Sequence, residues 1–70
     1  MFSKLWFLIQ NDEIVGAFDD KDIAIEERVY LEEENPLERV TLHALGVAEL
    51  SNYPDEFDYA RERGFLDELK

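Results

Sequence analysis

Seventy residues that are 46% hydrophobic, with one Trp, three Tyr, five Phe and no Cys, make at most one small folded domain, without a disulfide or a thiolate metal site. Eighteen Asp and Glu against seven Lys and Arg leave a net charge of −11, which repels nucleic acid and anionic membranes and attracts basic proteins from beyond contact distance. A domain of this size buries only about 60% of its unfolded surface, leaving no room for a deep active site.

The first element is Lys4 to Gln10, K-L-W-F-L-I-Q. Leu5, Phe7 and Ile9 alternate with Trp6 and Leu8, so both faces are apolar, as suits a central strand covered on two sides. The apolar run is far shorter than the roughly 18–20 residues that cross a bilayer, and no small-residue cleavage site follows it. The chain therefore reads as cytoplasmic, without a targeting signal. Asn11-Asp12-Glu13 is a polar turn, and Ile14 to Phe18 is a second, shorter strand suited to an edge, with Gly16 marking a bulge.

Asp19 to Glu34 reads D-D-K-D-I-A-I-E-E-R-V-Y-L-E-E-E, eight acids against two bases, a local charge of −6. Asp19 or Asp20 can cap a helix and Pro36 stops it. Ile23, Ala24, Tyr30 and Leu31 share one side of that helix, whereas Ile25 and Val29 fall elsewhere. A strand template competes, because Ile23, Ile25, Val29 and Leu31 also align at period two, but length, caps and Glu content favour the helix. Glu38 to Val47 forms a third strand, with Val40, Leu42 and Ala44 inward and Thr41, His43 and Leu45 alternating. A right-handed crossover would set it parallel to the second strand, on the free edge of the first. The expected fold is α+β: a small three-stranded antiparallel or mixed sheet of order 2-1-3, with a crossover helix and a short C-terminal helix, in a single domain over residues 1–70.

That last helix carries concordant signals: Pro54 in the first turn, Asp55 and Glu56 at the positive end, Arg61 and Arg63 at the negative end, and Gly64 just past it. Phe57, Ala60, Tyr59 and Phe65 are placed to cover the sheet face that the first helix leaves open. If they left it open, that face would be a homodimer surface.

Chemistry is sparse. His43 has no second imidazole or cysteine to share a metal and reads as an ordinary strand residue. Asp19-Asp20-Lys21-Asp22 lacks the spacing of a calcium loop, and Gly16, Gly46 and Gly64 are isolated, so there is no phosphate loop. No catalytic residue, metal site or cofactor is expected. What remains is the carboxylate array. Acids three and four apart on a helix stand about 5–6 Å from each other, so Asp19, Asp22 and Glu26 can form one row and Asp20, Glu27 and Glu34 another. Glu32, Glu33 and Glu34 close the segment. Asp55, Glu56, Asp58, Glu62, Asp67 and Glu68 would extend the surface if the second helix lay nearby. Tyr30, Tyr53 and Tyr59, with Trp6 if exposed, could anchor a protein interface.

This profile, with the clusters D-D-x-D at Asp19 to Asp22 and E-E-E at Glu32 to Glu34, resembles the small acidic DNA-mimic proteins that bacteriophages make early in infection. That group includes uracil-DNA glycosylase inhibitors, restriction inhibitors and, nearest to this chain, a lytic Bacillus phage inhibitor of the histone-like protein HU. The resemblance implies a noncatalytic inhibitor in the host cytoplasm that occupies the DNA-binding surface of a basic protein, with HU the first choice because its arms are basic and sequence-tolerant. The expected contact residues are Asp19, Asp20, Asp22, Glu26, Glu27, Glu32, Glu33, Glu34, Asp55 and Glu56; replacing those from Asp19 to Glu34 by Asn or Gln should spare the fold and weaken binding. The alternative is a regulatory or antitoxin-like module that binds protein through an apolar or edge-strand surface.

Overall fold

The computed structural model describes residues 4–65. In chain order the elements are β1 (Lys4–Gln10), β2 (Glu13–Phe18), α1 (Lys21–Glu34), β3 (Val40–Gly46), a 3-10 helix (Val47–Asn52) and α2 (Pro54–Glu62). The sheet has the order β2-β1-β3, and β1 is antiparallel to both neighbours. This is the expected α+β arrangement, with α1 as the crossover between the two edge strands.

The hairpin closes through Asn11 and Asp12, which both have positive φ, 54° and 63°. With Gln10 opposite Glu13, the loop is two residues of the mirror-image turn whose twist matches the strands it joins. Asn and Asp are the non-glycine residues that tolerate this conformation best. Further along, Leu8 faces Gly16 but Ile9 faces Ile14. Val15 is left without a partner, so the bulge falls next to Gly16. A Cβ added at Gly16 would meet the Phe18 ring at 3.0 Å, and this close approach accounts for the glycine.

Leu5, Phe7, Leu45, Leu50 and Ala60 form the main buried cluster, against which Ile14, Ala17, Val47, Phe57, Tyr59 and Phe65 pack. Alternation along β1 turns Leu8 to the opposite face. There it lies across from Gly16 and Leu42, on the side where Val40 and Ala24 are also buried and α1 lies against all three strands. The sheet is thus covered on both faces, by α1 on one and by the 3-10 helix and α2 on the other. Burial of a Leu or Phe side chain stabilises by about 1.5–3 kcal/mol, so the Leu5 cluster, which holds most of the large buried side chains, dominates stability. The face that would have served a homodimer if left open is occupied.

α2 begins at Pro54, carries Asp55 and Glu56 in its first turn and Arg61 in its last, and is capped by Arg63. It stops at Gly64, whose φ of 87° suits a residue without Cβ. No helix among the described residues is long and apolar enough to cross a membrane.

Two expectations are corrected, and one element is added. Ala44 is exposed, whereas Leu45 on the opposite face is buried. The strand serves two layers: Val40 goes under α1 at one end, and Leu45, paired with Leu5, enters the main cluster at the other. In α1 only Ala24 is buried and Leu31 half-buried, while Ile23 and Tyr30 are exposed. The helix turns Ala24, Glu27, Arg28 and Leu31 to the sheet, a row at i, i+3, i+4 and i+7 in which the small alanine allows close approach. The added element is the 3-10 helix Val47–Asn52, whose Leu50 is 1% exposed and for which the sequence reading had no element.

Candidate functional site

The acidic stretch is fixed as a helix at both ends. Asp20 Oδ1 accepts from the backbone N–H of Asp22 at 2.9 Å and of Ile23 at 3.3 Å, satisfying first-turn donors with a charge that suits the positive end of the dipole. At the other end Asn35 N–H donates to Leu31 O at 3.1 Å, and Pro36 follows. The helix template therefore wins over the strand across residues 21–34.

Of the eight acids between Asp19 and Glu34, only Glu32 has an ion-pair partner among the described residues, Arg28 at 3.6 Å. Asp19, Asp22, Glu26 and Glu33 are exposed and have neither ion-pair nor hydrogen-bond partners for their carboxylates there. Helical spacing puts Asp22, Glu26, Val29 and Glu33 in one outward row. Ile25 flanks that row on one side, and Ile23 and Tyr30 flank it on the other. Tyr30 hydrogen-bonds to Glu34, and this bond, then the charge of the same carboxylate, raises the phenol pKa above its ordinary value.

The other expected residues have different situations. Asp20 is taken up by the cap and Glu27 is half-buried toward the sheet, so the row Asp20, Glu27, Glu34 does not stand free as a line of charge. Glu32 Oε2 accepts from Val40 N–H at 3.4 Å, which ties the last turn of α1 to the start of β3. Asp20 and Glu32 are therefore part of the scaffold. An amide oxygen at either position could still accept these bonds, so replacement by Asn or Gln keeps the acceptor while removing the charge.

Asp55 is exposed at the start of α2, on the other side of the sheet from α1, and so does not extend the α1 surface. Glu56 sits 3.7 Å from His43 Nδ1 with a side chain only 13% exposed, and the His43 ring meets Tyr53 edge-on at 5.4 Å. His43 is a strand residue packed beneath the first turn of α2. Asp58 pairs with Arg61 at 3.3 Å, Glu62 is exposed, and Asp67 and Glu68 lie outside the described residues. Of the candidate aromatic anchors, Tyr30 and Tyr53 are exposed, Tyr59 packs on the core and Trp6 is half-buried.

Ile25 and Val29, which break the amphipathic stripe in the sequence, are exposed on the outward side of α1. Their break in the periodicity is the sequence signal of that exposure. Among the described residues there is no pocket and no group of three or more His, Asp or Glu placed to hold a metal ion. Comparison with protein-family models, curated proteins and solved structures found no match to the chain.

Proposed function

We propose that the chain is a noncatalytic acidic inhibitor that uses the outward face of α1 to occupy the DNA-binding surface of a basic protein, with the nucleoid protein HU as first candidate. One observation carries this reading: the exposed, unpaired carboxylates of Asp22, Glu26 and Glu33 on a capped helix, with that of Asp19 just before its N-cap. Of the six acids on α1, Asp22, Glu26 and Glu33 stand free on the outward face, one per about 7 Å of axis at a rise of about 1.5 Å per residue. A single strand of duplex DNA offers one charge per about 3.4 Å. Lys21 and Arg28 dilute the α1 row, so it stands in for part of a phosphate strand, and a groove built for phosphates would gain similar counterion release by accepting it.

The test is displacement of a labelled duplex from HU, followed by fluorescence anisotropy over a salt series. The chain should compete with DNA, and its affinity should fall as salt rises, mainly through a slower on-rate. Asp22→Asn, Glu26→Gln and Glu33→Gln together should weaken binding about tenfold at low salt, at a few tenths to 1 kcal/mol for each exposed charge, with the fold intact. Absence of binding at low salt, or binding indifferent to excess duplex, would sink this reading.

The second reading, a regulatory module docking through an edge strand, draws on β3, whose outer edge has no strand partner among the described residues, although Glu32 and Glu49 take the N–H groups of Val40 and Gly46 at its two ends. It requires binding that is insensitive to salt.

A further inference from the structure

Resting on the reading of α1 as a docking face, we infer that this face takes a cationic protein segment with aliphatic side chains set between its lysines and arginines, so that recognition is apolar as well as electrostatic. Ile23, Val29 and Tyr30 are 50, 48 and 54% exposed, and Ile25 is 37% exposed. A helix laid on a sheet ordinarily turns its branched residues to the sheet. Here the buried position belongs to Ala24, and the branched residues stand in water on both sides of the acid row.

Carboxylates alone would serve solubility or a phosphate-binding groove. Isoleucine and valine between them add nothing to either, whereas desolvated aliphatic and aromatic contacts inside a charged rim are the usual anatomy of a protein interface. Charge complementarity selects the occupant. A second copy would bring another eight acids against two bases onto the same face, and like charges across an interface oppose binding. A segment with Lys or Arg facing Asp22, Glu26 and Glu33, and aliphatic residues meeting Ile25, Val29 and Ile23, fits both properties. Binding should then have two separable parts, one screened by salt and one not.

The experiment uses the full chain and two synthetic helical peptides of about five turns with equal positive charge. One carries leucines between its lysines, and the other has serine in their place. Titration calorimetry at about 0.1 M and about 0.5 M salt should show the leucine peptide binding at least about tenfold tighter, the scale of a few buried methylenes. That advantage should persist at the higher salt, while affinity for the serine peptide fades. Ile25→Ser with Val29→Ser should remove the advantage and leave serine-peptide binding unchanged, with a single cooperative urea transition, its midpoint lowered no further than two surface substitutions allow, showing that the fold is intact.

Equal affinity for the two peptides, or an advantage that survives the double substitution, overturns the inference while leaving the acidic docking face standing. Failure of both peptides to bind at low salt overturns this inference and the reading beneath it. A concentration-dependent dimer in sedimentation, lost on the same double substitution, assigns the face to a second copy and also overturns the inference.

Discussion

The two helices lie on opposite faces of one sheet, and both are rich in acids, yet they are built on different terms. α2 and the adjoining 3-10 helix turn their large apolar groups, Leu50, Phe57 and Tyr59, into a cluster with Leu5, Phe7 and Leu45. α1 buries one alanine and leaves Ile23, Ile25, Val29 and Tyr30 in contact with water. The α2 side holds the protein together with the residues it hides. The α1 side packs on the sheet through Ala24 and the half-buried Leu31, with its first turn capped by Asp20 and its last turn tied to β3 by the Glu32 bond to Val40, and its outward residues take no part in these contacts.

The widest gap between the faces should appear in stability. Leu50→Ala removes a side chain that is 1% exposed and should cost about 2–5 kcal/mol, enough to unfold much of a domain whose total stability is a few kcal/mol. Ile25→Ser with Val29→Ser, at sites 37 and 48% exposed, should stay within about 0.5 kcal/mol per site. Urea denaturation of both variants breaks the contrast if the two losses are alike.

A smaller effect tests how α1 is held. Asp20→Ala deletes the cap and should cost about 1 kcal/mol, visible as lost helical circular dichroism before the global transition. An effect near zero would mean that α1 is held mainly by its sheet-side packing.

The smallest effect concerns Tyr30, which should titrate above the ordinary tyrosine value because Glu34 accepts its hydrogen bond and adds negative charge. Since the folded-state pKa is raised, the stabilisation linked to it is present below the unfolded value and is lost as pH rises through the folded one, above pH 10. Glu34→Gln should lower the Tyr30 midpoint in a tyrosine-resolved NMR titration. An unchanged midpoint would remove Glu34 as the cause.

Much of this architecture is legible in the sequence because it is local. The doubly apolar run Leu5 to Ile9 marks a central strand, Asn11-Asp12 marks the turn, and Asp20, Pro36, Pro54 and Gly64 bracket the helices. What stays hidden depends on tertiary placement. The 3-10 helix Val47–Asn52 is too short to show a period, so Leu50 has no pattern to reveal it. Glu32 reads as one more acid until Val40 N–H is found beside it, and Glu56 as a surface charge until α2 sets it against His43, thirteen positions earlier. The sheet-facing row of α1 contains Glu27 and Arg28, which no hydrophobic stripe would select.

Leu37, fully exposed in the link between α1 and β3, divides the chain in a way the fold does not. Leu5 and Phe7 precede it, Leu45, Leu50 and Ala60 follow it, and all five share one interior. A protease that cut there would leave two fragments, neither with a complete core. Their association would then be bimolecular, and survival of the fold would depend on concentration. The most exposed large apolar side chain among the described residues thus marks the bond whose cleavage would turn one molecule into a dissociable pair.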